Sequence, residues 1–180
     1  PVSLTYALAM AAAGARGDTL DELLATLDID ELSLDALGIA ADSLNVRGAK
    51  SANAAFVSSD IALQDAYLGR LRGSLDAGIF SFSQLENAKD EINAWAREKT
   101  DGMVDPLLAD NLEPNLLLML ANAMALDAKW RVPFDEDATQ AGTFDAPHGA
   151  VDVEYMRATR QMPYLQGETF QAVYLPYAQE

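Results

Sequence analysis

The chain contains no cysteine. Disulfides, thiolate metal sites and cysteine nucleophiles are excluded together, while the redox compartment stays open, because a cysteine-free chain suits either setting. Histidine occurs once, at His148. Any nucleophile–base pair of the usual kind would have to run through that single imidazole, and its Pro-His-Gly setting reads as a solvated turn. Basic residues are scarce: 12 Lys and Arg stand against 28 Asp and Glu, for a net charge of −16 and a pI near 4.2. Nothing in such a chain could neutralise a run of phosphates, so nucleic acid is an unsuitable partner, and anionic membrane surfaces are unsuitable for the same reason.

Other signatures are missing too. There is no Gly-x-Ser-x-Gly, no phosphate-cradling glycine loop and no metal-ligand spacing, so no cofactor or metal is expected. The many carboxylates read as solvated helix faces rather than as a paired acid–base site. No apolar run reaches the roughly 18 residues of a membrane-spanning helix, and no signal peptide is present. The chain opens abruptly inside a structured-looking segment, so a processed or truncated start is expected and the missing signal carries no weight.

What the chain does have is apolar material: half its residues are hydrophobic, enough for a sizeable core. The densest stretch is Leu116 to Trp130. From Leu116 to Leu126 residues of both parities are apolar, interrupted only by Asn122, and such an element is expected to be buried on all sides. Periodicity does not separate helix from strand here. Leu, Ala and Met favour helix; Pro114, Pro133 and a length of about eleven residues favour strand. An unpaired buried amide costs about 1–3 kcal/mol, so Asn122 is expected in a hydrogen-bond network.

The remaining segments take clearer forms. Ser3 is a candidate N-cap for an apolar helix with Leu4, Ala7, Leu8 and Ala11 at helical spacing. Thr19 and Glu22 form a capping box ahead of Leu20, Leu23, Leu24 and Leu27. Arg16-Gly17-Asp18 spells an integrin-binding tripeptide, but a short glycine turn between two helices accounts for it. A third helix is expected over Ser33–Leu44, without lysine or arginine, and a strand over Ser51–Ser59. Asp65–Leu75 reads as helix and Ile79–Phe82 as a short strand. Glu86–Thr100 is a clear amphipathic helix, with Ala88, Ile92, Trp95 and Ala96 as its apolar stripe and Gly102 placed to end it. Short strands follow at Val151–Met156 and Phe170–Leu175. Helices dominate the first half and strands the second, without regular alternation, which is an α+β layout.

The segments also resemble one family, in order and along nearly the whole chain. PVSLTYALAMAAAGARGDTLDELLATL resembles the serpin pattern Ser-Pro-x-Ser-Ile followed by an Ala-rich helix, Gly-Ala-x-Gly-x-Thr and a second helix. SANAAFVS resembles the Ala-Asn-x-x-Phe strand, and INAWAREKTDGMV resembles Ile-Asn-x-Trp-Val-x-x-x-Thr-x-Gly-Lys-Ile. LANAMALDAKWRVPFDEDATQAGTF resembles the block that runs from Val-Asn-Ala through Trp-x-x-Pro-Phe to a final Phe. VDVEYM and FQAVYLPY resemble the strands that follow it. Met103 stands where the family usually has lysine, and Asp127-Ala128 replaces a common Lys-Gly.

The resemblance implies a partial serpin fold: residues 1–180 would be the N-terminal helices with part of the large central sheet and of the smaller sheets. It implies inhibition of a serine protease, with a cysteine protease as the alternative target, by a reactive-centre loop that is attacked as substrate and then inserts into the large sheet. That loop would lie beyond Glu180, so this chain alone is expected to be inactive and not an enzyme. On this mapping Leu116–Leu126 becomes a strand of the large sheet. Ser3 and Asn122 match the shutter positions where the sheet parts, Trp130 matches the tryptophan where the loop first enters, and Ile92 and Trp95 lie on the helix covering the sheet. The acidic third helix speaks against heparin. The acidic, cysteine-free composition suggests a bacterial source, and the resemblance suggests an extracellular one. A non-inhibitory serpin that binds a ligand or partner is the alternative.

Overall fold

The computed structural model describes residues 2–31, 33–34, 36–37 and 48–178. They form two compact units, Pro1–Asp127 and Ala128–Glu180, each taken by itself below. Among the described residues, all the α-helices lie in the first unit, together with a three-stranded sheet, and the second holds only strands and a short turn of 3-10 helix, so the α+β expectation is met. Among the described residues, no helix is long and apolar enough to cross a membrane.

The first unit is built on a sheet of three strands: β1 (Ala49–Ser58), β2 (Ala77–Phe82) and β3 (Leu118–Leu126), in the order β2-β1-β3. β1 runs parallel to β2 and antiparallel to β3. Helix α1 (Val2–Gly14) packs on one face with α2 (Asp18–Leu27) and α3 (Asp65–Gly73). There Ala9, Met10, Ala12 and Ala13 form one apolar cluster with Ala55, Val57, Leu71 and Leu75. The alanines of α1 let its backbone approach the sheet closely. Helix α4 (Leu85–Lys99) covers the other face, where Ala88, Ile92, Trp95 and Ala96 meet Ala54, Phe56, Phe82, Ala121 and Ala123. Residues of β1 and β3 alternate between the two clusters, as the period of two requires.

The central apolar run is a strand, and propensity is overridden by pairing. Nine residues, Leu118 to Leu126, take register against β1 from Val57 back to Ala49, which satisfies those of their backbone polar groups that face β1. The expectation that the run is buried on all sides is corrected. Only Ala121, Ala123 and Ala125 are buried, while Leu117 and Leu126 are 48% and 50% exposed. The reason is its position: β3 has β1 on one side and, among the described residues, no strand on the other.

Helix ends also differ from expectation. α1 begins at Val2, so Ser3 sits within the helix and is not its N-cap. α2 begins at Asp18, and its N-cap is Gly17, at φ +57°, with no side-chain capping bond. Glycine supplies the turn that the Thr19–Glu22 box was expected to supply. The third helix, expected over Ser33–Leu44, is described only at Ser33, Leu34, Ala36 and Leu37, all helical, with Leu34 buried; the rest of it lies outside the described residues. α4 ends as expected. Thr100 is its C-cap, and Gly102, at φ +82°, returns its N–H to the Arg97 carbonyl at 2.8 Å.

In the second unit, β4 (Gln140–Ala146) and β5 (Gly149–Tyr155) form an antiparallel hairpin closed by Pro147 and His148. His148 is exposed in that turn, as its sequence setting indicated. β6 (Tyr164–Gln166) and β7 (Gln171–Val173) form a second, shorter hairpin. β7 covers only part of the strand expected over Phe170–Leu175.

Candidate functional site

Within the first unit, β1 and β3 each place one asparagine in an otherwise small, apolar stretch, and the register sets the two opposite each other: Asn53 pairs with Asn122. The Nδ2 of Asn122 donates to Asn53 Oδ1 at 2.9 Å and to Ser51 Oγ and the Ala52 carbonyl at 3.3 Å each. Asn53 in turn donates from Nδ2 to the Leu75 carbonyl at 2.7 Å. The result is a polar relay from β3 through β1 to the segment that leads into β2. It is buried at Asn53 and half-buried at Asn122, in largely apolar surroundings, where bonds are strengthened and an unmade bond is costly.

The relay is incomplete at one atom. Oδ1 of Asn122 is buried and accepts no hydrogen bond among the described residues. Two of the atoms facing Nδ2, the Ala52 carbonyl and Asn53 Oδ1, can only accept, so the NH2 must point that way and the oxygen the other. Asn122 was expected in a network and is in one, with this open valence. Asn53 received no role from the sequence. The same signal that marked Asn122, an amide in a run of small apolar residues, marks it too.

Ser3 is half-buried on α1, which packs against β3. Among the described residues, no hydrogen bond joins it to Asn122, so the structure does not bring the two polar groups of this pair together. Ile92 and Trp95 do meet the sheet: Ile92 is fully buried, and Trp95 stands edge-on to Phe56 with ring centroids 5.8 Å apart. Phe56 stacks in turn on Phe80 at 5.1 Å. The aromatic column gives α4 a fixed seat on the sheet.

Trp130 belongs to the second unit. It stacks on Tyr177 at 4.7 Å, meets Phe134 edge-on at 6.0 Å, and forms an isolated antiparallel bridge with Tyr177. Arg160 lies over the Phe134 ring at 4.7 Å and donates to the Val132 carbonyl at 2.7 Å. Trp130, Phe134, Arg160 and Tyr174 help line a cavity of about 170 Å³.

Chemically, the relay can hold strands in register; it has no nucleophile and no titrating group. Among the described residues, no cluster of three or more His, Asp or Glu side chains is placed to hold a metal ion. On α3, burial raises the pKa of the half-buried Tyr67 phenol above its ordinary value, and its hydroxyl donates to the Met10 carbonyl at 3.0 Å.

Comparison with known proteins gives the family and the fold. Residues 1–180 match the protein family described as Serpin (serine protease inhibitor). A serpin-like protein of Thermococcus kodakarensis is 33% identical over 193 residues, which cover 100% of this chain and 45% of that protein. Among solved structures, the thermophilic serpin tengpin in its native state matches with a TM-score of 0.84 at 27% identity, over 99% of this chain and 48% of tengpin. Human thyroxine-binding globulin, solved with its ligand bound, matches with a TM-score of 0.80 at 25% identity, over 99% of this chain and 52% of that one. The chain thus spans about half the length of the curated relatives it matches.

Proposed function

Since the chain belongs to the serpin family, we propose that residues 1–180 are the N-terminal part of a single serpin domain whose whole acts as an inhibitor of a serine protease, or secondarily of a cysteine protease, and not as an enzyme. The reactive loop would be attacked as substrate, and after acylation it would insert into the sheet beside β3. Such a protein is metastable when uncut and held by a kinetic barrier. The observation that carries this reading is β3 itself. It is an apolar, uncharged strand with an open outer edge among the described residues, able to accept another strand.

Supporting roles follow for the residues named above. Asn122, with Asn53, would be the tie that must loosen where the sheet parts, and the open Oδ1 of Asn122 gives the tie room for an alternative partner. Ser3 would act on the same region from α1. Ile92 and Trp95 would seat the covering helix, and Trp130 would stand where the loop enters first. Heparin is not among the proposed partners, because Ser33–Leu44 contains no lysine or arginine. An extracellular setting is part of the proposal, by analogy with a protease-facing inhibitor. A bacterial source rests on the acidic, cysteine-free composition alone; relatives that match come from an archaeon, rice, a tick and cattle.

The second reading is a binding protein that traps nothing, and the match to thyroxine-binding globulin is what favours it. The two readings separate on denaturing gels. The full-length parent is mixed with trypsin-like, chymotrypsin-like, elastase-like and subtilisin-like proteases. An SDS-stable complex at the summed mass supports inhibition and names the target class. Cleavage or indifference across that panel and a cysteine-protease panel supports the binding reading.

A further inference from the structure

Helix α4 and its C-cap carry a ridge of four side chains, Lys89, Asn93, Arg97 and Thr100, and each of them reaches the segment that leaves the helix and crosses back over it. Lys89 Nζ donates to the Ala109 carbonyl at 2.7 Å. Asn93 donates from Nδ2 to the Leu108 carbonyl at 3.1 Å and accepts at Oδ1 from the Leu108 N–H at 2.8 Å. Arg97 Nε lies 3.5 Å from Asp105 Oδ2. Thr100 Oγ1 accepts from the Val104 N–H at 3.0 Å. Rising positions on the helix meet falling positions on the segment, so the two are zipped antiparallel along one helical ridge.

The four contacts are unequal. The Lys89 and Arg97 contacts are solvent-exposed, and contacts of that kind contribute little. Thr100 acts at the turn itself, where the chain has only just left the helix. Asn93 is half-buried, reaches fifteen residues along the chain, and makes two bonds to one residue. Its amide presents a donor and an acceptor as a peptide group does, so with Leu108 it closes the same kind of ring as a pair in a β-ladder. Underneath, Val104, Leu108 and Leu112 pack on the apolar cluster that includes Ala121 and Ala123 of β3.

We infer that Asn93 is the latch of this zipper: it holds residues 104–112 on α4, so that helix and segment cover the sheet as one clip, and its opening sets how readily that face of β3 is uncovered. Asn93 is therefore a positioning residue. The consequence for protease inhibition rests on the function proposed above; the latch itself does not.

Amide hydrogen exchange tests the latch directly. In Asn93→Ala, the Leu108 amide should exchange at least about tenfold faster, while the β1 amides of Ala54 and Phe56 stay within about twofold of the unsubstituted protein. Asn93→Asp keeps an acceptor for the Leu108 N–H but loses the donor, so its Leu108 exchange should fall between the other two. It also serves if the alanine variant does not fold. Unchanged exchange at Leu108, or equal acceleration at Leu108 and in β1, overturns the latch. Inhibition is then read in the full-length parent. Asn93→Ala should change the number of inhibitor molecules consumed per protease trapped, and Lys89→Ala should not. Altered exchange with unchanged stoichiometry overturns the coupling to inhibition. A parent that traps no protease overturns the proposed function and leaves the exchange result standing.

Discussion

Asn122 and Asn53 face each other across the β1–β3 ladder, with Asn122 Nδ2 donating to Asn53 Oδ1 at 2.9 Å. The two amides are not equivalent. Asn53 uses both ends of its amide, whereas Asn122 keeps one buried oxygen unpaired.

That inequality gives the first prediction. Asn53→Ala strips a bond from Asn122 and leaves the Leu75 carbonyl without its side-chain donor, at a cost of about 2–3 kcal/mol. Asn122→Ala should cost less, because it also removes an oxygen that is already unsatisfied. Urea unfolding of the two single variants and the double variant would check the order. A coupling of about 0.5–3 kcal/mol is expected from the cycle, and a larger loss for Asn122→Ala would refute it.

Thr100 is fully buried, and its hydroxyl both donates to the Ala96 carbonyl at 2.7 Å and accepts from Val104 N–H. Thr100→Val keeps the shape and removes both bonds. The stranded Val104 N–H should lower stability by about 1–3 kcal/mol, whereas Thr100→Ser keeps the hydroxyl and should cost less. Denaturant midpoints at constant slope would show the difference.

Phe56 is 1% exposed and sits between Phe80 and Trp95. Phe56→Ala should cost about 3–5 kcal/mol through the cavity it leaves. Because Trp95 loses its edge contact, its fluorescence should shift to the red even where the variant remains folded. An unshifted spectrum in a folded variant would show that the ring column closes without Phe56.

α1 and α3 meet where the Tyr67 ring lies against Gly14; a Cβ built at Gly14 would come within 2.9 Å of the ring carbon Cε2. Gly14→Ala must push the ring aside and strain its bond to the Met10 carbonyl, for an expected loss of about 1–3 kcal/mol. Tyr67→Phe in the same background should make the substitution less damaging, since the ring then has no bond to keep.

The same phenol sets an alkaline limit. Burial raises its folded pKa above the unfolded value near 10, so the folded state favours the neutral form. Its contribution is complete below about pH 10 and is lost as pH rises from there through the raised folded value. Tyr67→Phe should flatten that part of the stability profile, measured by urea midpoints at increasing pH. An unchanged alkaline slope would assign the loss to other groups.

Local pattern carried a good part of the candidate site. The stripe Ala88, Ile92, Trp95 and Ala96 of α4 was legible because side chains spaced by three and four residues must share a helix face, and those four are the helix's buried residues. Leu20, Leu23, Leu24 and Leu27 were legible for the same reason, and they pack on the α1-side cluster. Helix starts were less legible: Ser3 and Thr19 are good capping residues, but a glycine turn and an earlier helix start were available instead. Asn93 passed unnoticed because its partner, Leu108, becomes a neighbour only once the chain folds back.

The sequence by itself determined the apolar faces, the α+β division between the two halves of the chain, and the absence of thiol chemistry, since these depend on residue type and short spacing. Residue pattern left Leu118–Leu126 open between helix and strand, and the family resemblance favoured strand, as the structure has it; only the tertiary structure decided that it is half-buried and not enclosed, and that Asn122 meets Asn53. Those outcomes depend on pairing with a strand some seventy residues earlier. Its backbone hydrogen bonds and burial outweigh the helix preference of Leu, Ala and Met, which amounts to a few tenths of a kcal/mol per residue.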